Sequence, residues 1–585
     1  MDQVPLLPHL DTLLTVVGAG IAVHLIFKKS EIYEPLVALP LIFGLPLALA
    51  FLYLPHAASF SKAALVVFPL FWASALTSIA LYRISPWHPL AKYPGPLLCK
   101  LSKFYLAFMS IGGKQHLYYA QLHEKYGDAV RIGPSYNPSL MSGLFGHSPH
   151  SYPGPNEIVI RDVNAVAPIL GNNGLPKGPF WDGRLPEKQV VKPLIAIRDK
   201  TEHTRRRRPW TRAFSTLALK GYEELVIKRV NQLVETLAAQ PNPVDLTKWI
   251  SYFAYDIMSD LAFGGGSEMM AEGDASGLWH LLEAGQKNAI FMGQVPWLGK
   301  LFFRYPKFAE DLKAFRAHAT SRAVIRRKEI SPHKDIFHHL MDEDSVASIP
   351  PTPEEVVSDG GLAIIAGSDT TSTAITHLFY CLMTNPKAYQ RLQKEIDENS
   401  DNLMDGTKQA HMPYLNAAIN EALRLFPPVL SGSQRTPDEG SGGKMLGSHF
   451  LPEGNNVFIS TYALQRDPRC FSPLPDAFLP ERWLTEDERI ELEPKIFSNP
   501  NEFVHNTNAF IPFSQGPTNC AGKNLAYLEM RMAVCMMISR LEFKLDGKYN
   551  PQKWNDDMLD YFVTMKGVLP TIITPRKTPN FEVHH

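Results

Sequence analysis

The chain has 585 residues, of which 45% are apolar and 20% charged, a composition typical of globular proteins and unlike that of disordered chains. Lysine plus arginine and aspartate plus glutamate number 58 each, so net charge gives no reason to expect a polyanionic partner. The five cysteines show no CxxC spacing, which argues against a disulfide scaffold and a zinc ribbon. This pattern of cysteines fits a protein whose folded part faces the reducing environment of the cytosol.

Three apolar segments open the chain: Thr12–Phe27, Pro35–Leu54 and Ala63–Tyr82. The second and third are long enough to cross a bilayer at about 20 residues each, whereas the first is shorter and carries His24. A signal peptide is an alternative for the first segment, although no lysine or arginine precedes its apolar run. A buried helical hairpin is an alternative for the group. We expect residues 1–84 to form a membrane anchor of two or three transmembrane helices.

Basic residues flank these segments and predict their orientation. Lys28 and Lys29 follow the first segment, and Arg83 and Lys92 follow the third. With three spans, the positive-inside rule places both groups, and the body of the protein, on the cytosolic side. Residues 85–97 are rich in proline, which restricts φ, and we expect a semi-rigid neck there. We expect residues 98–585 to form the main folded domain.

An arginine run follows, His203-Thr-Arg-Arg-Arg207-Arg208-Pro-Trp210. Such a run is also found in nuclear-localisation and nucleic-acid-binding segments. A solvated basic helix face is the other simple interpretation.

A long helix is predicted from Thr352-Pro353-Glu354-Glu355, which has the form of a capping box with proline at the first helical position. We expect it to end near Thr384, before Asn385-Pro386. Inside it lies Ala366-Gly367-Ser-Asp369-Thr370-Thr. Glycine within a helix costs about 1 kcal/mol relative to alanine, so it needs a reason. A Ser/Thr-rich helix kink is the alternative.

Glu421 and Arg424 share a helix face, and a second arginine, Arg482, follows in Phe478-Leu-Pro-Glu-Arg-Trp. A Glu-x-x-Arg pair occurs on many exposed helices, so its order among the other motifs is what makes it informative.

Near the C-terminus the chain reads Phe513-Ser-Gln-Gly516-Pro-Thr-Asn-Cys520-Ala-Gly522. The two glycines allow a sharp turn and a close approach to a flat ligand. A helix-forming run, Lys523–Ile538, comes next, so Cys520 lies near a helix N-terminus, which favours a thiolate. A structural buried cysteine is the alternative.

This segment resembles the haem-binding loop of cytochromes P450, Phe-x-x-Gly-x-x-x-Cys-x-Gly, and the other motifs follow that family's order. The resemblance implies haem b as cofactor, with Cys520 as axial iron ligand and Phe513, Gly516 and Gly522 around it. It implies that Thr370 hydrogen-bonds the oxygen species at the haem, that Asp369 connects it to bulk protons, and that small residues nearby open a groove for dioxygen. Glu421, Arg424 and Arg482 correspond to the family's buried ion triad.

One departure concerns the haem propionates. Many family members carry arginine or histidine two residues before the cysteine, where this chain has Thr518. Our hypothesis is that His203, Arg207 and Arg435 meet the propionate charge instead.

The implied fold is mainly α-helical with small β-sheets. The residue patterns agree in part, since they predict helices at Tyr222–Leu237 and Asn385–Asn399 and short strands at Ala129–Ile132, Glu157–Arg161, Asn456–Ser460 and Val568–Ile573. Asp335–Thr352 and Thr436–Ser448 are expected to be surface loops.

The implied reaction is monooxygenation of an apolar small molecule, with electrons from NADPH–cytochrome P450 reductase, cytochrome b5 as a further candidate partner, and the endoplasmic reticulum membrane as location. The anchor and the residues around Cys520 resemble fungal members that modify terpenoids or other secondary metabolites. A P450-fold isomerase or dehydratase that needs no reductase is the alternative enzyme, and a non-catalytic haem-binding membrane protein is the alternative outside enzymes. Candidate substrate contacts are Phe180, Trp181, Ile364, Ala366, Leu430 and Thr564, each of which could equally be core.

Overall fold

The computed structural model describes residues 7–29, 38–132, 157–185, 191–275, 277–303, 305, 310–328 and 334–576. Helices predominate. In chain order they are α1 (His9–Lys29), α2 (Leu45–Tyr53), α3 (Phe60–Ile84), α4 (Leu97–Leu101), α5 (Lys103–Ile111), α6 (Gln115–Tyr126), α7 (Val163–Leu170), α8 (Lys200–Ala213), α9 (Thr216–Ala239), α10 (Leu246–Phe263), α11 (Met269–Glu272), α12 (Leu278–Gln294), α13 (Pro296–Phe302), α14 (Glu310–Lys328), α15 (Ile336–Leu340), α16 (Pro353–Thr384), α17 (Pro386–Glu398), α18 (Gly406–Ala410), α19 (Pro413–Leu425), α20 (Thr461–Leu464), α21 (Glu486–Leu492), α22 (Pro494–Phe497), α23 (Lys523–Arg540) and α24 (Lys553–Asp557).

The strands are short and form small sheets. They are β1 (Ala129–Arg131), β2 (Glu157–Ile160), β3 (Val244–Asp245), β4 (Gly443–Leu446), β5 (His449–Pro452), β6 (Asn456–Ile459), β7 (Phe471–Ser472), β8 (Val504–His505), β9 (Leu541–Leu545), β10 (Leu559–Tyr561), β11 (Val563–Met565) and β12 (Pro570–Pro575). Two sheets have three strands, in the orders β1-β2-β6 and β3-β12-β9. β1 and β2 are antiparallel, with Val130 opposite Val159. The prediction of a mainly helical fold with small sheets is confirmed.

The chain divides into two compact units. The smaller unit comprises Met1–Leu106, Leu122–Ile160 and Gln434–Phe458, and the larger unit comprises Ala107–Gln121, Arg161–Ser433 and Ile459–His585. In the smaller unit α1, α2 and α3 pack on one another through a common apolar cluster that includes Val16, Ala50 and Phe71. The helices approach closely at Gly20, where a Cβ would lie 2.6 Å from the Phe71 carbonyl oxygen.

The apolar N-terminal segments differ from expectation in one respect. Among the described residues, two helices are long and apolar enough to cross a bilayer, His9–Lys28 and Phe60–Ile84. The first is therefore longer than the sequence suggested, and its His24 is accommodated by a 2.8 Å hydrogen bond to Ser78 of α3. In the described part of the second segment, the apolar helix Pro40–His56 is shorter than these two. Residues 35–37 lie outside the described residues.

The larger unit has its core around α10 and α16, which pack side by side. α16 begins with the predicted capping box, in which the backbone N–H of Glu355 donates to the Thr352 hydroxyl and the Glu355 side chain accepts from the Thr352 N–H. Proline at the first helical position adds to this start. α16 ends at Thr384, as expected. α23 packs on both α9 and α16, so the helix that follows Cys520 is anchored in the core.

Two expected surface loops contain regular structure. Asp335–Thr352 includes the short helix α15, which Asp335 caps by accepting a hydrogen bond from the His338 N–H at 2.8 Å. Its apolar residues Ile336 and Phe337 are buried. Thr436–Ser448 includes β4, which pairs with β5. Both segments are therefore loops only in part, because elements of four and five residues are too short to show a period in the sequence.

Candidate functional site

Cys520 lies in a tight loop that leads directly into α23. The Cys520 N–H donates to the Phe513 carbonyl at 2.9 Å, and the Asn519 N–H donates to the Gly516 carbonyl at 3.0 Å. These two bonds close the loop on itself. Cys520 is exposed, whereas Cys99, Cys381, Cys470 and Cys535 are buried. Among the cysteines, therefore, only Cys520 presents its sulfur for binding.

The two glycines of the loop have different reasons to be there. Gly516 has a φ of +71°, and a Cβ on it would lie 2.1 Å from the Leu170 carbonyl oxygen. Only glycine suits that conformation and that contact. Gly522 has a φ of −84°, and its Cβ would meet the Phe214 ring at 3.7 Å, an ordinary contact. The expectation that both glycines serve a sharp turn is therefore corrected for Gly522.

Arg207 holds the loop from α8. Its terminal nitrogens donate to the Asn519 carbonyl at 2.7 Å and to the Asn519 side-chain oxygen at 2.9 Å. This forked contact fixes the residue that precedes Cys520. Although Cys520 is accessible, the protein around its sulfur displaces bulk water and raises the pKa of the thiol, while the Gly522 N–H and the charges of Arg207 and Lys523 act against this. His203, one turn before Arg207 on α8, is buried.

The other arginines of the run point in different directions because successive residues on a helix are about 100° apart. Arg206 forms a buried ion pair with Asp359 of α16 at 2.6 Å. Arg205 pairs with Glu202 and Glu355. Arg208 is exposed. The run therefore ties α8 to α16 and to the cysteine loop and is no continuous basic face, which disfavours the nucleic-acid interpretation.

The acid and the alcohol of α16 engage different partners. The Thr370 hydroxyl donates to the Ala366 carbonyl at 2.6 Å, and the Asp369 carboxylate accepts from Gln286 of α12 at 2.7 Å. Ala366 is exposed although most of α16 is buried. This face of α16, with Ala366 and Thr370 one turn apart, is the one that borders open space.

Gly367 has a packing role. A Cβ there would lie 2.4 Å from the Met258 sulfur of α10. Glycine at this position lets α10 and α16 approach each other. This contact is a reason for glycine here that is independent of the expected oxygen groove, which stays a prediction.

Glu421, Arg424 and Arg482 meet in the core of the larger unit. Arg424 donates two bonds of 2.8 Å to the Glu421 carboxylate, and Arg482 approaches the same group at 3.3 Å. All three side chains have 0% exposure. Burial alone would raise the pKa of Glu421, but Arg424 and Arg482 outweigh it and lower that pKa to about 2. The triad is therefore ionised at neutral pH.

The remaining expected residues have the following surroundings. Arg435 belongs to the smaller unit, where it is buried and its backbone pairs with Val457; burial lowers its pKa to about 10. Phe513 packs against Tyr527 of α23 with ring centroids 5.3 Å apart. Of the candidate substrate contacts, Ala366 is exposed, and the others are buried: Phe180, Trp181, Ile364, Leu430 and Thr564.

Sequence reasoning missed four residues. Asn519 accepts hydrogen bonds from Arg207, and Gln286 donates one to Asp369. The Lys566 ammonium donates to the Ser372 hydroxyl of α16 at 2.9 Å. Glu529 of α23 is buried, and burial raises its pKa to about 8 although Thr371 acts against this. Only Glu529 had a signal in the sequence, as an acid among the apolar residues of the run Lys523–Ile538. The other three contacts join distant segments.

The site fits a group that needs one protein ligand. In the described part of the chain, no group of three or more histidine, cysteine, aspartate or glutamate side chains could hold a bare metal ion. A single exposed thiol, held by a rigid loop at the start of a helix, is suited to the proximal position of haem iron. The loop contacts leave the Cys520 sulfur itself available.

Comparison with known proteins agrees with this geometry. The family model described as Cytochrome P450 matches residues 93–567. A cytochrome P450 monooxygenase of Fusarium pseudograminearum is 32% identical over 513 residues, covering 86% of this chain and 85% of that protein. One of Eupenicillium brefeldianum is 32% identical over 507 residues, covering 85% and 94%. Tryprostatin B 6-hydroxylase of Aspergillus fumigatus is 29% identical over 510 residues, covering 85% and 83%. The chain belongs to the cytochrome P450 family and is a haem-thiolate monooxygenase.

Proposed function

We propose that this monooxygenase contains haem b and inserts one oxygen atom from O2 into an apolar small molecule, with electrons from NADPH delivered by a separate cytochrome P450 reductase. Cytochrome b5 is a candidate second donor. The observation that carries the proposal is the exposed Cys520 thiol on a loop held by Arg207. Haem, when bound, supplies the activation of dioxygen.

The chain's own residues bind, orient and move protons. Cys520 holds the iron, and Phe513, Gly516 and Gly522 shape the loop around it. Gly516 allows the turn that presents the thiol, and Arg207 keeps the residue before the thiol in place. We propose that His203, Arg207 and Arg435 meet the propionate charge, and that the ion triad Glu421, Arg424 and Arg482 stabilises the proximal side.

Proton delivery falls to Asp369 and Thr370. Thr370 lies on the face of α16 that borders open space, and its hydroxyl, which donates to the Ala366 carbonyl, would be the group that donates a hydrogen bond on the oxygen-binding side of the haem. Asp369 is held on the side of α12 by Gln286, so it can take protons from outside and pass them on through the helix face. General acid catalysis of this kind contributes about 10²–10⁴-fold. The presence of both residues disfavours the isomerase or dehydratase alternative, which has no need of proton delivery.

The substrate is proposed to be a fungal secondary metabolite, for example a terpenoid. Support comes from the relatives, of which one is named for hydroxylation of tryprostatin B. Residues 1–84 are proposed to anchor the chain in the endoplasmic reticulum membrane, residues 85–97 to form a neck, and residues 98–585 to form the catalytic domain facing the cytosol. The two candidate spans, His9–Lys28 and Phe60–Ile84, are only 28% and 11% buried by protein, which favours contact with lipid.

Microsomes that contain the full chain and a fungal P450 reductase provide the test. A panel of terpenoids, indole alkaloids, fatty acids and aromatics is supplied with NADPH and labelled dioxygen, and mass spectrometry follows gain of one labelled oxygen. Cys520→Ser is the matched control, since it keeps the loop but removes the thiolate. A labelled product from the wild type alone supports the proposal. A rearranged product formed without reductase and without label would overturn it in favour of the isomerase.

A further inference from the structure

Lys566 connects the C-terminal strands to the middle of α16. It lies between β11 and β12, and its ammonium donates to the Ser372 hydroxyl at 2.9 Å and to the Thr373 hydroxyl at 3.2 Å. The side chain is half-buried. A lysine held against the interior of a helix in this way needs a reason, because burial disfavours its charge.

The two hydroxyls connect Lys566 to the main chain of Asp369. Ser372 and Thr373 donate to the main-chain carbonyl of Asp369 at 3.1 and 2.6 Å. An ammonium has donors only, so each hydroxyl accepts from Lys566 and directs its own hydrogen towards that carbonyl. Side-chain hydroxyls that bond back to helix carbonyls bend the helix locally. Lys566 therefore fixes the hydroxyl orientations that shape α16 at Asp369.

Lys566 also acts on Asp369 through its positive charge. Burial raises the pKa of Asp369, whereas the positive charge of Lys566 and the hydrogen bond from Gln286 lower it. Burial lowers the pKa of Lys566, against the carboxylates of Asp369, Glu283 and Asp245. Two other ionisable groups bear on this site. Burial and the charges of Asp274 and Asp369 raise the pKa of Tyr255 of α10. Burial and the charge of Asp369 raise the pKa of Glu283 of α12, which Lys566 lowers.

We propose that Lys566 is a positioning residue for proton delivery: it shapes α16 at Asp369 through its hydrogen bonds to Ser372 and Thr373, and it brings a positive charge to this part of the helix. The inference rests on the proposed role of Asp369 and Thr370. In each transfer the carboxyl releases a proton towards Thr370 and regains one from solvent, so the residue ends in its starting state and no electrons are exchanged.

The first test compares Lys566→Met, which keeps the length but removes the charge, with Lys566→Arg and Asp369→Asn in the full-length enzyme. Lys544→Met, an exposed lysine of β9, is the matched control. For Lys566→Met we expect kcat to fall about 10-fold with KM nearly unchanged, which is the signature of an interaction used in the chemical step. We also expect more hydrogen peroxide per NADPH consumed. Loss of an opposite charge moves the acidic limb of the pH profile up by about one unit, and Lys566→Arg restores it.

The second test measures the unfolding midpoint of the full chain against pH and does not depend on turnover. A carboxyl whose folded pKa is raised stabilises the protein below its unfolded pKa, and this stability is lost as pH rises through the folded pKa. Lys566→Met should move that loss to higher pH. Asp369→Asn should remove this loss of stability with rising pH. The pH curve of the Lys566→Met/Asp369→Asn double variant should have the same shape as that of Asp369→Asn.

The outcomes separate the two proposals. If Asp369→Asn loses activity while Lys566→Met keeps wild-type kcat, peroxide yield and pH curves, the role of Lys566 is overturned and the proposed function stands. If Asp369→Asn is fully active, the proposed proton path fails and this inference fails with it. Should Lys566→Met not fold, the double variant Ser372→Ala/Thr373→Val decides: raised peroxide yield supports the relay, and wild-type yield overturns it.

Discussion

Arg207 and Asn519 form a forked contact in which both terminal nitrogens of the guanidinium donate to one residue, at 2.7 and 2.9 Å. Since Asn519 immediately precedes Cys520, the position of the thiol depends on an arginine that lies more than three hundred residues earlier in the chain. Lysine at position 207 would keep the charge but not the fork.

Arg207→Lys and Arg207→Ala are therefore both expected to lower haem retention, Arg207→Ala more strongly. Charge-assisted hydrogen bonds of this kind contribute about 1.5–3 kcal/mol. The measurement is haem per protein, together with the thiolate-type ferrous–CO spectrum. Arg208→Ala, exposed on the same helix, serves as control and should match the wild type. Full haem retention by Arg207→Ala would contradict the prediction.

Glu421→Gln should destabilise the larger unit severely. The substitution leaves Arg424 and Arg482 buried without their anion, and breaking a buried ion pair on one side costs about 3–5 kcal/mol. The measurement is chemical unfolding followed by circular dichroism. Glu398→Gln, whose carboxylate is 63% exposed, should change stability by less than about 0.5 kcal/mol. Equal effects of the two variants would refute the importance of the triad.

The same triad predicts an acid limit. The pKa of Glu421 is lowered to about 2 in the folded chain from an ordinary value of 4.5. A carboxyl with a lowered folded pKa adds stability above its unfolded pKa, and that stability is lost as pH falls through the folded pKa. We expect the wild type to lose stability between about pH 4.5 and pH 2, and Glu421→Gln to lack this component. Unfolding midpoints across that range decide the point.

Gly516→Ala should prevent correct closure of the cysteine loop. The residue has φ +71°, and strain of this type costs about 1–3 kcal/mol before the contact with Leu170 is counted. Thermal unfolding and haem content are the measurements. Gly221→Ala is the control, since nothing lies within 4 Å of its Cβ and alanine is the better helix former by about 1 kcal/mol. A stable, haem-containing Gly516→Ala protein would show that the turn at position 516 does not require glycine.

Glu529→Gln should stabilise the protein at alkaline pH. Burial raises the pKa of Glu529 to about 8, so the folded chain keeps the proton that the unfolded chain releases near pH 4.5. The stability that the neutral carboxyl maintains is lost as pH rises towards 8 and beyond. The neutral amide avoids this loss, and the difference between variant and wild type should grow from pH 5 to pH 9. An unchanged pH dependence would show that Glu529 does not titrate there.

Many features of the fold followed from local patterns. The capping box at Thr352 predicted where α16 begins, and the apolar spacing after Cys520 predicted α23, because helix starts and periodicity are encoded in neighbouring residues. The short helix α15 and strand β4 were missed, since elements of that length carry no readable period. The apolar segments were recognised, but the first was judged too short, because its His24 is accommodated by Ser78 of another helix.

By itself, the sequence determined the family, the thiol ligand and the order of the motifs, since these depend on residue types at fixed spacings. The tertiary structure alone decided that Gly367 serves the contact with Met258, that Arg207 holds Asn519, and that Lys566 meets α16 beside Asp369. Each of these contacts joins residues far apart in the chain. No local pattern encodes them, because side-chain charge and shape become specific only when packing brings the partners together.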